Sequence, residues 1–203
     1  MKSIFLLISL FAGTAFYQPA ADTITDAERK LAIKEFQRTK QRLLDDVKGL
    51  SVQQLSFKAD TAHWSIAQCV EHIALSENMI WQWQQGTVQQ PATPAKASEV
   101  KLTDAQVLTA VIDRTQKFKA PEMLQPLGKF ASTGAALQAY SSRRDSTISY
   151  ISTTQDDLKN HFTQHPAFGT INAYQVLLLI TAHSERHTLQ LEEVKANPAF
   201  PKS

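Results

Sequence analysis

The chain has 203 residues, of which 43% are hydrophobic and 20% charged, and its formal net charge is +2. This composition is typical of a globular protein that is long enough to form one well-buried core. The basic residues are spread along the sequence and form no stripe that could neutralise a row of phosphates, so nucleic acid is excluded as an expected partner.

The first 21 residues have the pattern of a secretory signal peptide. Lys2 provides a positive start, the stretch from Ile4 to Phe16 is nearly all apolar, and Pro19-Ala20-Ala21 offers small residues for cleavage. The apolar stretch is shorter than the roughly 20 residues that cross a bilayer. We therefore expect a periplasmic or secreted protein whose mature domain, residues 22–203, has no stable membrane span. An uncleaved signal anchor is the alternative.

Four short sequences after residue 22 mark helix starts. Each places a capping oxygen three residues before Glu or Gln, the capping-box spacing that satisfies free amide groups at a helix N-terminus. They are Thr25 to Glu28, Ser65 to Gln68, Thr103 to Gln106 and Asn172 to Gln175. Apolar residues then recur at steps of three and four, which predicts helices over 25–49, 65–85, 103–118, 134–158 and 172–196. No segment alternates long enough to predict a strand.

Long connections rich in proline and glycine separate these helices, at 86–102, 119–133 and 160–171. The pattern predicts an all-α fold, an antiparallel four-helix bundle with an additional short helix. Connections of this length allow an up-down-down-up order as readily as a simple meander, so the order of the helices stays open.

Two histidines interrupt the apolar stripe of the last helix. The stripe reads Ile180, His183, His187, Leu191 and Val194, so both imidazoles occupy core-facing positions. An unpaired polar group buried there costs about 1–3 kcal/mol. Histidines four residues apart can both turn a nitrogen toward one metal ion, whereas hydrogen bonding within the core is the alternative way to satisfy them.

A third ligand is needed, because two histidines hold a metal poorly. His72 lies within a strongly periodic helix, at the edge of its apolar face, and is the predicted third ligand. We expect the remaining histidines, His63, His161 and His165, to be solvated outside the helices. Gln190, one turn beyond His187, either hydrogen-bonds a ligand or ends the stripe.

Two stretches resemble the DinB-like superfamily of metal-dependent hydrolases. They are His63-Trp-Ser-Ile-Ala-Gln-Cys-Val-Glu-His72-Ile and Ala182-His-Ser-Glu-Arg-His187-Thr-Leu-Gln190-Leu. The resemblance extends from about Thr25 to Pro201 and implies a four-helix bundle in which His72, His183 and His187 form the metal triad. The secretory leader and the linker at 86–102 depart from the usual pattern of the family.

Three nitrogen ligands leave a coordination position open, as in catalytic rather than structural metal sites. A water bound there could have its pKa lowered toward about 7 and attack an ester or an amide of a small-molecule substrate. Three imidazoles suit one divalent transition metal such as zinc, nickel or iron. No general base can be assigned. Glu71 adjoins His72, and Glu185 lies two positions from both His183 and His187, but helical positions one or two apart point about 100–160° apart, and we expect both glutamates at the surface.

Several other residues have two interpretations. Cys69 either approaches the metal as a thiolate or is a small buried hydrophobe. Trp64 is expected in the core or its rim, although it could form a wall of the site. Arg143 and Arg144 are expected on a solvated face.

Two functions other than a hydrolase remain open. One is a metal-dependent thiol S-transferase, which is disfavoured in an exported protein because reduced thiols are found in the cytosol. The other is a non-catalytic metal-binding or sensing module. A homodimer is left open.

Overall fold

The computed structural model describes residues 23–116 and 118–202. The predicted signal peptide, residues 1–21, lies outside this part of the chain. Four long helices dominate the described residues: α1 (Asp26–Val47), α3 (Ile66–Val88), α5 (Thr133–Thr153) and α6 (Ala173–Lys195). Two shorter helices, α2 (Val52–Ser56) and α4 (Asp104–Ile112), and two 3-10 turns, Pro94–Glu99 and Glu122–Leu124, lie in the connections.

All four predicted capping boxes form at the starts of α1, α3, α4 and α6. A fifth box, Ser51 with Gln54, starts the short helix α2, which the sequence did not predict because a single turn shows no periodicity. The ends of helices are predicted less well. The α4 helix ends at Ile112 rather than near 118, and α5 ends at Thr153 rather than near 158. At the end of α5, the Arg29 guanidinium from α1 donates to the backbone oxygens of Ile151 and Thr154.

Contacts between the long helices decide their order. Tyr174 at the start of α6 donates to the Glu28 carbonyl at the start of α1, and Lys195 at the end of α6 pairs with Asp46 at the end of α1, so these helices are parallel. The α3 and α5 helices are parallel neighbours as well, whereas α1 is antiparallel to α5, since Arg29 reaches the end of α5. The bundle is therefore up-down-down-up, with α3 antiparallel to α6.

The connection between α5 and α6 contains a short hairpin. Strand β1 (Phe162–His165) pairs with β2 (Gly169–Asn172) in an antiparallel register that joins Phe162 to Asn172 and His165 to Gly169. Four residues per strand are too few for alternation to show in the sequence. Gly169 has φ +72°, a left-handed conformation that favours glycine at the end of the hairpin turn.

The core follows most of the predicted stripes. Phe36, Leu43, Ile66 and Val70 are fully buried, whereas Leu31, an apolar residue five positions before Phe36 in α1, is 38% exposed. Among the described helices, none combines the length and the apolar character that crossing a bilayer requires.

An ion pair lies inside the bundle, where the sequence predicted only apolar packing. Arg144 is 0% exposed, and its guanidinium donates to Glu77 and to Thr39 Oγ1, each at 2.7 Å, between the rings of Phe36 and Tyr140. The prediction of a solvated Arg143–Arg144 face is therefore wrong for Arg144. The reason is helical geometry, because Arg144 lies four residues after the buried Tyr140 and so shares its face.

Candidate metal centre

The three predicted ligands come together where the start of α3 faces the end of α6. His72 projects from α3, while His183 and His187 project from successive turns of α6, and one ring nitrogen from each lies within 4.8 Å of the others. This spread is somewhat wider than the separation of about 4 Å or less that is expected of nitrogens bound to one ion. The closest pair, His72 Nε2 and His187 Nε2, is 3.2 Å apart. Two nitrogens bound to one tetrahedral ion at about 2.0–2.1 Å would be separated by about 3.3 Å.

Hydrogen bonds to the outer ring nitrogens of His72 and His187 fix which nitrogen of these two rings carries the hydrogen. His72 Nδ1 lies 2.8 Å from the carbonyl oxygen of Leu124, which can only accept, so Nδ1 must be the donor. His187 Nδ1 lies 2.8 Å from Gln190 Oε1. Arg114 Nη1 donates to the same oxygen at 3.4 Å, which supports its assignment as oxygen and therefore as an acceptor. Both Nε2 atoms thus direct lone pairs at each other.

This arrangement fits a cation better than a hydrogen-bonded core pair. Two facing lone pairs 3.2 Å apart repel unless positive charge lies between them. The ring of His183 forms no hydrogen bond with any described residue, although it packs 4.5 Å from the His187 ring and 5.1 Å from the His72 ring. Three neutral imidazoles with converging lone pairs form a donor set suited to a divalent transition metal.

The pKa values agree with this donor set. The pKa of His187 is lowered to about 3, mainly by burial and secondly by the neighbouring His72. Burial also lowers the pKa of His72, and it lowers that of His183 well below its usual value, with His187 and His72 adding to the effect. The three rings are therefore neutral at pH 7, the state that metal ligation requires.

An open cleft of about 1320 Å³ leads to the triad. Trp64, just before the α3 cap, forms one wall, and its ring lies 4.8 Å from that of His72 and 6.0 Å from that of His187. Leu124, in the 3-10 turn Glu122–Leu124, contributes to another wall and also supplies the carbonyl that holds His72. The sequence interpretation that placed Trp64 beside the site therefore holds.

Three other residues weighed for the site lie elsewhere. Cys69 is fully buried, burial raises the pKa of its thiol to about 12, and it is not in the ligand cluster, so it is a small core hydrophobe. Glu71 accepts from the backbone amides of Gly128 and Lys129. Glu185 pairs with Arg38 and Arg42 of α1.

The expectation that the two glutamates lie at the surface is wrong, because both are buried. The Glu185 carboxylate pairs with two arginines of the neighbouring helix α1. The Glu71 carboxylate accepts hydrogen bonds from two backbone amides in the segment before α5. These partners compensate for the loss of water around each carboxylate.

Sequence reasoning missed two groups near the cleft. Asp60 Oδ1 lies 2.7 Å from His63 Nδ1 and also accepts from the amides of Ala62 and His63. The spacing of an aspartate two and three residues before those amides is a turn signal that could have located this pair. No sequence pattern predicts that the Leu124 carbonyl binds His72, because every residue has a backbone oxygen.

The chain is similar to known proteins over most of its length. A family model described as the DinB superfamily matches residues 12–191. The uncharacterized protein YuaE of Bacillus subtilis (strain 168) is 24% identical over 151 residues, which cover 74% of this chain and 89% of YuaE. The structure of YfiT from Bacillus subtilis, described as "a probable metal-dependent hydrolase with an unusual four-helix bundle topology", superposes with a TM-score of 0.57 at 16% identity and covers 88% of this chain and 91% of YfiT. The likeness to YfiT establishes the fold, and the family match over most of the length shows that the chain belongs to the DinB superfamily.

Proposed function

We propose that this protein is an exported metal-dependent hydrolase that acts on a small molecule. The observation that carries the proposal is the convergence of three neutral imidazoles, with two Nε2 lone pairs facing each other at 3.2 Å, at the inner end of an open cleft. The description of YfiT as a metal-dependent hydrolase supports the same activity for this member of the superfamily. The leader pattern of residues 1–21 supports export.

His72, His183 and His187 would hold the ion. When bound, a divalent ion supplies Lewis-acid activation of water and of the substrate's electrophilic group. The protein contributes fixed ring orientations, since Leu124 and Gln190 each accept a hydrogen bond from a ligand ring. Trp64 packs over two of the rings and limits the access of bulk water to them.

A proton acceptor is available at the cleft. His63 and Asp60 both line it, next to Trp64 in the sequence. Because the Asp60 carboxylate accepts from His63 Nδ1, the His63 Nε2 atom carries a lone pair and can take a proton. We assign to His63 the transfer of a proton from the attacking water, with Asp60 as the residue that positions its ring.

Metal analysis tests the metal site first. Purified mature protein should contain one equivalent of transition metal, and His72→Ala, His183→Ala and His187→Ala should each abolish stoichiometric binding. His161→Ala is the matched control, because His161 binds the Gln90 carbonyl outside the cleft. Full metal occupancy in His72→Ala would overturn the triad.

Activity tests follow with metal-loaded protein and panels of small esters and amides. His63→Ala should retain full metal and lose about 10²–10⁴-fold in kcat, the usual contribution of general base catalysis. Metal binding without turnover on any panel would indicate a sensing or storage module instead. Turnover only in the presence of a low-molecular-weight thiol would indicate a transferase.

A further inference from the structure

The cleft extends beyond the triad to the hairpin. Its far end is lined by His165 and Phe168, at the turn between β1 and β2. Apolar side chains contribute much of the lining, including Trp64, Val111 and Leu124. The histidine cluster therefore forms one end of a much longer, mainly apolar site.

Both guanidinium groups along this cleft are already paired within the protein. The Arg186 guanidinium donates to the backbone oxygens of Val111 and Asp113 and thereby ties α6 to the end of α4. The Arg114 guanidinium forms two hydrogen bonds of 2.7 Å with Glu193. Neither guanidinium is left to recognise an anionic substrate, and Lys119, the remaining cation of the lining, is exposed.

Helix geometry gives the length of the site. Trp83 lies eleven residues after His72 on α3, which corresponds to about 16 Å along the axis and a rotation within about 20° of three full turns. The two side chains therefore share one face of α3. The Trp83 ring stacks on the His165 ring at 6.0 Å, and His165 stacks on Phe168 at 4.3 Å. The aromatic stack thus adjoins a residue that lies about 16 Å from His72 along α3.

The far end of the cleft contains a hydrogen-bond donor whose tautomer is fixed. His165 Nδ1 accepts from the backbone amides of Ala167 at 3.1 Å and Phe168 at 3.2 Å, so the ring hydrogen must be on Nε2. That Nε2 group forms no hydrogen bond with any described residue. Burial lowers the pKa of His165, which keeps the ring neutral at pH 7. A half-buried N–H without a partner can bind a ligand acceptor at this end.

We propose that the substrate of this site is an elongated molecule with an apolar body. Its hydrolysable group lies at the histidine triad, and an acceptor about 16 Å away binds His165 Nε2–H beside Phe168. This inference rests on the proposed function, because it takes the triad as the reactive end. His165 is then a specificity-determining residue, outside the metal centre and outside the proton transfer.

Alkyl hydroxamic acids test the apolar body, because the hydroxamate group chelates the metal and the chain extends from it. Titration of zinc-loaded protein should show the Kd falling by about three- to fourfold per methylene, the value for full burial of each group. The gain should stop at about 14 bonds, since an extended chain advances about 3.3–3.6 Å over three bonds. If acetohydroxamate binds and longer chains bind no tighter, the inference is wrong while the metal site stands. If acetohydroxamate itself does not bind, the proposed function fails.

A second series tests His165. A hydroxamate of about 14 bonds ending in a primary amide should bind the native protein more tightly than one with an amide at mid-chain, by about three- to tenfold for one hydrogen bond. His165→Phe keeps a ring in the stack, His165→Asn keeps an acceptor for the turn amides, and both should lose this preference. His161→Ala should keep it, because His161 lies outside the cleft lining.

The folded state of each variant is checked by its zinc content and its affinity for acetohydroxamate, which should both equal those of the native protein. Preference for the terminal amide that persists in either His165 variant would overturn the role of His165.

Discussion

At the scale of single residues, the hydrogen bonds of the outer ring nitrogens show how His72 and His187 are oriented. His72 and His187 each donate from Nδ1 to an oxygen, Leu124 O in one ring and Gln190 Oε1 in the other, and these bonds direct both Nε2 lone pairs inward. The side chain of Gln190 is in turn held by Arg114. The orientation of the candidate ligands is therefore built by residues that would not touch the metal.

The role of Gln190 can be measured. Gln190→Ala removes the acceptor of His187 Nδ1 and should weaken metal affinity by about 10–100-fold, the usual loss when such a partner is removed. Competition with a metal-binding dye measures the affinity. Gln53→Ala, on the exposed side of α2, is the matched control and should leave the affinity unchanged. Equal affinity in Gln190→Ala would show that Gln190 only ends the apolar stripe.

The lowered pKa values of the triad predict a pH dependence of the metal-free protein. A histidine with a folded pKa of about 3 binds its proton less readily than in the unfolded chain, where the pKa is about 6.5. As the pH falls below about 6.5, the unfolded state gains protons first, so stability is lost between about pH 6.5 and 3, by up to about 1.4 kcal/mol per pH unit for His187. Urea unfolding at pH 7 and pH 5 measures the loss.

His187→Phe in the metal-free protein should flatten this dependence, because one of the shifted groups is gone. An equal slope in the variant and the native protein would show that the acid sensitivity arises elsewhere in the chain.

At the scale of secondary structure elements, the buried ion pair links α5 to α3. Arg144 and Glu77 are both almost completely buried, and the Phe36 and Tyr140 rings enclose the guanidinium. Burial raises the pKa of Glu77 to about 7, although Arg144 opposes the rise. A charge left alone in this position would be strongly destabilising.

Arg144→Ala should therefore lower the free energy of unfolding by about 3–5 kcal/mol, the usual loss when one partner of a buried pair is removed. Chemical denaturation measures it. Arg143→Ala, one position along, should cost less than about 1 kcal/mol, since the Arg143 guanidinium lies over the face of Trp81 and forms no ion pair with a described residue. Similar losses in the two variants would contradict a special role for the buried pair.

At the scale of the whole molecule, the long connections allow an arrangement that a meander would not provide. The chain leaves α3, crosses through α4 and two 3-10 turns, and returns to begin α5 beside α3. This crossover brings Leu124 onto His72 and Arg114 onto Gln190. The up-down-down-up order therefore completes the site that α3 and α6 begin.

Export is a prediction for the whole chain. The leader pattern of residues 1–21 predicts that the mature protein begins near Ala21 or Asp22. N-terminal sequencing of the protein from native fractions measures the start, and replacing Leu6 and Leu7 with Lys should block cleavage by interrupting the apolar stretch. Protein that retains Met1 in the soluble cytoplasm would contradict export.

The sequence by itself determined the elements that depend on local interactions. Capping boxes and helical periodicity located the starts of four helices within a residue or two, because their signals lie within a few positions of each other. The spacing of His183 and His187 is local in the same sense, since one helix fixes both. Adding His72 needed only the assumption that two helices with apolar stripes pack together.

Only the tertiary structure decided the rest, because it depends on contacts between residues far apart in the chain. The Leu124 carbonyl on His72 lies 52 residues away in sequence, and the Arg144–Glu77 pair spans 67. Whether Arg144 faced water or the core depended on which helix packed beside it. The place of His165 at the far end of the cleft likewise required the hairpin to pack on Trp83, a contact between distant residues that no local pattern encodes.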